Sequence, residues 1–483
     1  MGKTESNIVQ KSMGWSLFAE IAAKLVTPVT NMILARLLIP DDFAVLAVCT
    51  MLITFADIIT DAGFGKYLVQ HDFETEEEKN QYSNVAFWSN LFVSVLLFAV
   101  VVLNREKVAT LLGNIKYSKV IAVASVQLIL TSISSIQTGL FRRGFDFKRL
   151  FVARVIVAIV PLVIAVPLAY YTRSYWALII GNISSAAVNG VLLTCLSKWR
   201  PSFYYSFEKL KKMFSFSFWS LWEGLGNWAI FWVDTFLITH LYDEYYVGLY
   251  KNSANMVMSI MGMISASMSP VLLSVLSRVK DDKDRFYSLF LSIQRIVLYL
   301  VLPMGVGLFC YRRIATYILL GSKWTEAQNI IGAWSLMMML SVVFYSFPAE
   351  LFKAKGIPRV LFVLQCFYLV VLIPSCYLSL NKGFWAFVYT RCICIVSEIV
   401  ICFVLLRIVL KVNPIRIIAN MGKPLLAVSS IALVRVLTSF LPSSYGLEFI
   451  YMIGSGLVYL LFVYWVFWKD MKVHVKDVQN VKL

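Results

Sequence analysis

The feature that most limits the fold of this chain is a series of about fourteen apolar segments, each long enough to cross a bilayer. A spanning helix needs roughly 20 consecutive, mostly apolar residues. Hydrophobic residues make up 59% of the chain and charged residues 15%, so a soluble fold would lack the polar atoms to cover its surface. The sequence therefore predicts an all-α integral membrane protein with about 14 transmembrane helices, and no connection is long enough for a soluble ATPase domain.

A faint internal repeat relates the two halves of the chain. Gly14–Ala47 resembles Ser217–Tyr250, and in this alignment Glu20 falls on Glu223. Two halves with the same orientation and with polar groups at matching depths are typical of secondary transporters, whose site lies between the repeats near the bilayer midplane.

This repeat predicts three parts. We expect a lobe of six helices (TM1–6) in residues 1–196, a second lobe of six helices (TM7–12) in residues 197–410, and two extra helices (TM13–14) with a cytoplasmic tail in residues 411–483. The two lobes form an internal parallel repeat.

The net charge of +17 is distributed unevenly. Lys and Arg concentrate in alternate connections, such as Arg142–Arg149, Lys198–Lys212 and Arg407–Lys423. Because positive residues favour the cytoplasmic side, both termini are predicted to be cytoplasmic. The same pattern argues against nucleic acid as the partner.

The sequence carries no motif for an enzyme or a metal site. The eight cysteines lie in or beside apolar segments and are interpreted as small hydrophobic residues, and only three histidines are present. The first apolar segment contains Glu20 and Lys24, so it does not resemble a cleavable signal peptide. We therefore expect no catalytic residue and no cofactor.

Charged and polar side chains form stripes along several predicted helices. In the first helix, Glu20, Lys24, Thr27 and Asn31 fall on one face, and Asp57 belongs to a similar stripe in the second. A charge in the bilayer centre costs at least about 2.5 kcal/mol, so such faces are expected to line a wet cavity or to pair with one another.

The second half repeats this pattern. Glu223, Asn227 and Asp234 share one face of the seventh helix, Arg295 lies in the ninth, and Arg391 and Glu398 lie two turns apart in the twelfth; these positions are all within predicted spans. Two interpretations stay open: structural ion pairs between helices, or a site in which the cations bind an anionic substrate and the carboxylates carry a coupled ion.

Some charged residues lie nearer to helix ends. For Asp61, Arg154, Lys251 and Glu350 we expect the side chains to reach the headgroup region. Arg435 lies outside the repeat, and contact with a lipid phosphate is an open interpretation for it.

Several motifs together resemble one family. They are Ala35–Ala44 (ARLLIPDDFA), Asp61–Gln70 (DAGFGKYLVQ), Arg142–Arg149 (RRGFDFKR) and Leu320–Trp324 (LGSKW). The chain resembles the polysaccharide transporter family, the oligosaccharide flippases of the multidrug/oligosaccharidyl-lipid/polysaccharide exporter superfamily, over about residues 10 to 410.

The resemblance implies export of an undecaprenyl-pyrophosphate-linked oligosaccharide from the cytoplasmic to the outer leaflet of a bacterial cytoplasmic (inner) membrane. The chain would act by alternating access, for capsule, O-antigen or exopolysaccharide synthesis. Its partners would be the lipid-linked glycan, the bilayer and, beside it, a polysaccharide polymerase and other glycan assembly proteins.

The family pattern of a cationic central cavity assigns roles to individual residues. Lys24, Arg295 and Arg391 fit the site for the diphosphate, with Asn31 and Asn227 as further substrate contacts. The acidic residues Glu20, Asp57, Glu223, Asp234 and Glu398 are candidates for proton or sodium coupling. These acids depart from a purely cationic cavity.

Other functions remain open. A multidrug or organic-cation antiporter of the same superfamily would favour an acidic, aromatic cavity, for which Trp228 and Trp232 lie beside Glu223 and Asp234. A peptidoglycan lipid-precursor flippase would also have fourteen helices. A polysaccharide polymerase or membrane glycosyltransferase would need a long extracytoplasmic loop, and the sequence has none.

Overall fold

The computed structural model describes residues 25–279, 281–357, 359–468, 470 and 472–474. Within these residues the secondary structure is helical throughout, without a strand. Ten segments are long and apolar enough to cross a membrane: Pro40–Asp61, Glu76–Leu103, Ile115–Arg143, Phe147–Thr172, Trp176–Leu196, Lys283–Cys310, Ala327–Ala354, Arg359–Leu380, Phe384–Val409 and Tyr445–Phe467. The predicted all-α membrane fold is confirmed, and the protein is a multi-pass membrane protein.

The remaining four predicted spans are also helical where they are described. Leu25–Leu37 forms a short apolar helix, and helices Phe207–Thr239, Glu244–Arg278 and Gly422–Thr438 cover the others. These three helices fall outside the set that qualifies by length and composition within the described residues.

The chain divides into two compact units, one up to Gly248 and one from Leu249 onward. The predicted boundary at 196/197 differs from this division, because the helix Phe207–Thr239 packs against helices of the first unit. The helices after residue 411 pack within the second unit. The division into two lobes of six helices and two extra helices stays a prediction.

The first unit contains ten complete helices among its described residues. They are α1 (Leu25–Leu37), α2 (Pro40–Asp61), α3 (Phe64–Gln70), α4 (Glu76–Leu103), α5 (Arg105–Leu111), α6 (Ser118–Ala124), α7 (Val126–Arg143), α8 (Phe147–Thr172), α9 (Trp176–Leu196) and α10 (Phe207–Thr239). The next helix, α11 (Glu244–Arg278), begins in the first unit and continues into the second.

The helices of the second unit follow in order. They are α12 (Lys283–Cys310), α13 (Arg312–Leu319), α14 (Ala327–Ser341), α15 (Phe347–Ala354), α16 (Arg359–Leu380), α17 (Phe384–Val409), α18 (Pro414–Ala419), α19 (Gly422–Thr438) and α20 (Tyr445–Phe462). A π-helical turn, Val342–Ser346, joins α14 to α15, so the two form one continuous span.

Local sequence determines where several helices begin. Thr75, Asp146, Ser206, Asp282 and Ser444 each accept a hydrogen bond from the backbone N–H three residues later and so cap α4, α8, α10, α12 and α20. A side-chain oxygen at this position satisfies one of the backbone donors that a helix start leaves without a partner.

Both units contain the same short motif after a spanning helix. In the first unit α5 is followed by Gly113 and the 3₁₀ turn Ile115–Tyr117, and in the second α13 is followed by Gly321 and the 3₁₀ turn Ser322–Trp324. Both glycines have positive φ, 102° and 93°, a conformation that side chains disfavour. The Leu-Leu-Gly sequences at 111–113 and 319–321 therefore form equivalent local structures.

Candidate functional site

A cavity of about 510 Å³ lies within the first unit, between α1, α2, α7, α8 and α9. This volume is within the usual range for small-molecule sites, roughly 300–1,000 Å³. Its polar lining residues are Thr27, Thr30, Asn31, Thr138, Arg142, Arg154, Asn182, Ser185 and Asn189. We call it the arginine cavity.

Among the described residues, the wall of the arginine cavity has cations and amides but no carboxylate. Arg142 comes from the last turn of α7 and Arg154 from α8. Neither guanidinium has an ion pair or side-chain hydrogen bond to any other described residue. Guanidinium groups offer five N–H donors each and bind phosphate and carboxylate oxygens well.

Two amides and a hydroxyl on α9 extend this polar surface. Asn182, Ser185 and Asn189 follow i, i+3, i+7 spacing, which places them on one face of α9. Asn189 donates to the Ser134 hydroxyl at 3.1 Å, which leaves its carbonyl oxygen available, and Asn31 approaches from α1. Amides and hydroxyls of this kind suit a polyhydroxylated ligand, since each offers donors and acceptors.

The neighbouring Arg143 has a structural role and differs from Arg142. Its guanidinium donates to the backbone carbonyls of Leu68 and His71, at the end of α3, and lies 4.6 Å from the centre of the Phe73 ring. Two adjacent arginines therefore point to different surroundings, and only Arg142 reaches the cavity.

The predicted site residues of the first helix have mixed outcomes. Asn31 lines the arginine cavity. Glu20 and Lys24 lie outside the described residues, so their roles stay predictions.

Asp57 and Asp61 form a polar layer between α2 and α7. Thr131 donates to Asp57 at 2.8 Å, and Ser135 donates to Asp61 at 2.7 Å. Asp57 and Asp61 are one helical turn apart on α2, as Thr131 and Ser135 are on α7. Each of the two carboxylates therefore accepts a hydrogen bond from a hydroxyl of α7. Asp61 therefore has a partner inside the unit and does not depend on the headgroup region.

Glu223 has a basic partner that the sequence pattern did not indicate. Lys66, on α3, lies 3.0 Å from its carboxylate, and both side chains are about half exposed. Asn227 donates to the backbone carbonyl of Glu223 at 3.0 Å. An exposed ion pair of this kind contributes up to about 1 kcal/mol, so Glu223 is held only weakly.

Asp234 is the most buried acid of the seventh predicted span, with 2% of its surface exposed. Its carboxylate accepts from the backbone N–H of Thr235 at 2.6 Å and from the Thr235 hydroxyl at 3.1 Å. Trp232 is buried in the same helix, and Trp228 donates to the carbonyl of Met51 at 3.0 Å. These tryptophans pack against α2, which agrees with a structural role.

Arg295 lies in a dense network in the second unit. Its Nε donates to Asn420 at 2.7 Å, and its Nη1 lies 3.1 Å from the carboxylate of Asp470. Lys423 contacts the same carboxylate at 2.6 Å, and Tyr299 donates to it at 3.3 Å. We call Arg295, Lys423 and Asp470 the tail clamp, because Asp470 follows the last span.

Arg391 and Glu398 share surroundings on α17. Arg391 donates to the Tyr368 hydroxyl at 3.0 Å, and its guanidinium lies 5.3 Å from the centre of the Trp334 ring. Glu398 has Arg391 and Tyr345 as its main electrostatic neighbours, and both charged residues are less than 10% exposed. Arg391 and Glu398, which the sequence places two turns apart on one helix, therefore interact electrostatically.

The two described candidates for diphosphate binding, Arg295 and Arg391, occupy different surroundings. The described contacts of Arg295 involve Asn420 and Asp470, whereas those of Arg391 involve Tyr368 and Trp334. Their joint role in binding a diphosphate stays a prediction.

Sequence reasoning missed the two cations of the arginine cavity. The sequence places Arg142 in a cytoplasmic cluster with three other basic residues, and it predicts that Arg154 reaches the headgroups. The spacing of Asn182, Ser185 and Asn189 is a helical stripe that would have indicated the cavity wall on α9.

Comparison with known proteins places the chain in a family. Residues 33–329 match the family model described as "Polysaccharide biosynthesis protein". The succinoglycan biosynthesis transport protein ExoT of Rhizobium meliloti (strain 1021) is 26% identical over 68% of this chain and 66% of its own length. An uncharacterized membrane protein in the cps region of Klebsiella pneumoniae is 23% identical over 65% of this chain and 64% of its own. The chain thus spans just under two thirds of the length of these relatives.

Solved structures share the fold at low sequence identity. The inward closed conformation of the lipid II flippase MurJ has a TM-score of 0.78 at 14% identity, over 94% of this chain and 98% of that one. An inward-facing multidrug resistance MATE transporter of the MOP superfamily has a TM-score of 0.64 at 13% identity, over 83% of this chain and 96% of that one.

The resemblance predicted from the sequence motifs is therefore confirmed, because the family model covers more than half of the residues. The chain belongs to the polysaccharide biosynthesis protein family and has the fold of the MOP-superfamily transporters.

Proposed function

We propose that this protein exports an undecaprenyl-pyrophosphate-linked oligosaccharide across a bacterial cytoplasmic membrane. It moves the glycan from the cytoplasmic to the outer leaflet by alternating access and performs no covalent chemistry. The observation that carries this proposal is the arginine cavity, which combines Arg142 and Arg154 with three asparagines and has no acidic residue among the described part of its wall.

The chemistry of the cavity matches the two polar parts of such a substrate. A diphosphate needs cationic donors, and Arg142 and Arg154 have no acidic partner among the described residues that would compete for them. Sugars need donors and acceptors around their hydroxyls, which Asn31, Asn182 and Asn189 offer. A cavity removes the cost of moving these polar groups through hydrocarbon, while the polyprenyl chain stays in lipid.

The orientation follows from the charge distribution of the sequence. With both termini in the cytoplasm, Arg142 lies at the cytoplasmic end of α7, and the amides of α9 lie deeper in the membrane. A substrate that enters from the cytoplasm would meet a guanidinium first and the amides next. A polymerase that takes up the exported glycan is the expected partner outside.

Coupling to an ion is part of the proposal. Asp57, Asp234 and Glu398 are largely enclosed by protein in the described units, as a carboxylate that exchanges a proton or sodium between two states should be. Glu223 is the weakest of these candidates, because half of its side chain is exposed and it is paired with Lys66.

The charge of the cavity argues against export of organic cations. An antiporter of that kind needs an acidic site, whereas the described residues on the polar wall of the arginine cavity include two cations and no carboxylate. The relative from Rhizobium meliloti, named for succinoglycan biosynthesis transport, supports a glycan instead.

The test uses a double substitution, R142Q/R154Q. In a strain whose surface glycan depends on this chain, we expect export to fall at least about tenfold, because two charge-assisted contacts of about 1.5–3 kcal/mol each are lost. The lipid-linked precursor should accumulate inside the cell. R142K/R154K keeps the charges and should retain part of the export.

The matched control is K148Q/K211Q, which removes the same charge from exposed positions on the same predicted side. We expect normal export from this variant. Export by R142Q/R154Q equal to that of the control, at equal amounts of protein in the membrane, would contradict the assignment of the arginine cavity to the substrate.

A further inference from the structure

A second cavity, of about 500 Å³, lies within the second unit where α12 ends, α13 begins and α19 connects to α20. Its lining includes three arginines, Arg312, Arg313 and Arg435, and one carboxylate, that of Glu448. We call it the outer arginine pocket, because the predicted topology places both connections on the extracytoplasmic side.

Among the described residues, one of the three cations, Arg313, has an acidic partner. Glu448 is 2% exposed and lies 3.5 Å from Arg313. Arg312 and Arg435 have no ion pair with any other described residue; their guanidinium groups lie 5.6 Å and 5.4 Å from the centres of aromatic rings. The pocket therefore carries an excess of about two positive charges.

Two features make this excess costly without an anion. Arg312 and Arg313 are the first two residues of α13, where the helix dipole already disfavours positive charge. The extracytoplasmic side of a membrane protein is also the side on which Lys and Arg are least frequent. Three arginines that line one pocket on this predicted side favour a negatively charged ligand.

The surface beside the pocket indicates that this ligand is anchored in the membrane. Leu437 is 60% exposed and Phe440 is 83% exposed, and both flank the hydroxyl-bearing residues Thr438 and Ser439 of the pocket wall. Exposed apolar side chains next to a cationic pocket match a lipid, whose chains contact the apolar surface while the headgroup reaches the arginines.

We propose that the outer arginine pocket binds the phosphate headgroup of a lipid in the extracytoplasmic leaflet. The ligand is either a resident anionic phospholipid or a polyprenyl pyrophosphate; both present a lipid-anchored phosphate. Arg312 and Arg435 bind it directly, and Glu448 holds Arg313 in position beside them. The pocket is separate from the arginine cavity of the first unit and does not require that the cavity transports a glycan.

The test measures lipid binding to the purified full chain in mild detergent. The probes are phosphatidylglycerol, undecaprenyl pyrophosphate, phosphatidylcholine and inorganic pyrophosphate, and the readouts are apparent affinity by native mass spectrometry and the shift of the unfolding temperature. We expect at least one of the two anionic lipids to bind more tightly than phosphatidylcholine. R312Q/R435Q should weaken that binding about tenfold.

Two further variants make the result specific. R105Q/K107Q removes two exposed cations on the same predicted side, outside the pocket, and should bind lipid as the wild type does. R312K/R435K keeps the charges and should bind with intermediate affinity. The lipid that loses affinity in R312Q/R435Q identifies the source of the phosphate.

Equal lipid affinity of R312Q/R435Q and the wild type would overturn the proposal. Inorganic pyrophosphate that binds as tightly as the lipids would overturn the membrane-anchored part of it. Because the assay measures binding without transport, failure of the glycan-export proposal would leave these results unchanged.

Discussion

The tail clamp predicts a measurable coupling between the end of the chain and the ninth predicted span. The Asp470→Asn substitution removes the charge that Arg295 and Lys423 share. Asp470 and Arg295 are 13% and 15% exposed, so their contact is a partly desolvated, charge-assisted hydrogen bond of about 1.5–3 kcal/mol. Lys423 is 53% exposed, so solvent screens its contact and leaves at most about 1 kcal/mol.

The assay is equilibrium unfolding of the purified protein in mixed micelles, arranged as two double-mutant cycles. D470N combined with R295Q should give a coupling energy of about 1.5–3 kcal/mol, and D470N combined with K423Q should give less than about 1 kcal/mol. A coupling energy near zero in the first cycle, or a larger one in the second, would contradict the assignment of the stronger contact to the more buried pair, Arg295 and Asp470.

The clamp also predicts a dependence on pH. Burial raises the pKa of Asp470, but hydrogen bonds from Lys423 and Arg295 outweigh this effect and leave the pKa below its ordinary value. A lowered pKa means that the clamp contributes its full stability above the ordinary aspartate value, about 3.9, and loses it as the pH falls through the lowered pKa. The stability difference between wild type and D470N should shrink over that acidic window, and a difference that grows there would contradict the assignment.

The remaining predictions concern packing and the polar layer of the first unit. Gly248→Ala should lower the free energy of unfolding by about 1–3 kcal/mol or more. The new Cβ would lie 1.7 Å from the backbone oxygen of Pro40, and only a backbone shift relieves this overlap. An unchanged unfolding midpoint would contradict this close approach. Thr131→Val should cost about 1–3 kcal/mol, because it removes the hydroxyl that donates to Asp57 at 2.8 Å; the same unfolding measurement checks it, and a neutral effect would mean that Asp57 finds another donor.

Much of the fold could be predicted from local sequence. Apolar segments of membrane-spanning length indicate where the helices lie. Residues such as Thr75, Asp146 and Ser206 indicate where helices begin, because capping depends only on neighbours along the chain. The Leu-Leu-Gly sequences that end at Gly113 and Gly321 form equivalent turns, since positive φ is a local property.

The contacts of the site residues depend on distant parts of the chain. Asp57 meets Thr131, 74 residues away, and Arg295 meets Asp470, 175 residues away. Helical spacing places Asp57 and Arg295 on polar faces of apolar spans. It carries no information about which helix lies opposite those faces. Asp470 lies in the polar segment after the last span, where a single charged residue does not indicate a specific contact.

Arg154 illustrates the same limit for the candidate site. Its position near the start of a span is compatible with a headgroup contact or with a cavity, and only the packing of α8 against α9 decides between them. The adjacent Arg142 and Arg143 are alike in sequence, yet one lines the cavity and the other binds backbone carbonyls of α3.

Transport in reconstituted vesicles tests whether the arginine cavity carries a lipid-linked glycan between leaflets. Purified protein is placed in liposomes with undecaprenyl-pyrophosphate-linked oligosaccharide, and the fraction of glycan in the outer leaflet is followed with an enzyme or lectin that cannot cross the membrane. We expect protein-dependent transfer that is strongly slowed in R142Q/R154Q and normal in K148Q/K211Q. Transfer at the same rate in empty liposomes, or at the wild-type rate in R142Q/R154Q, would contradict it.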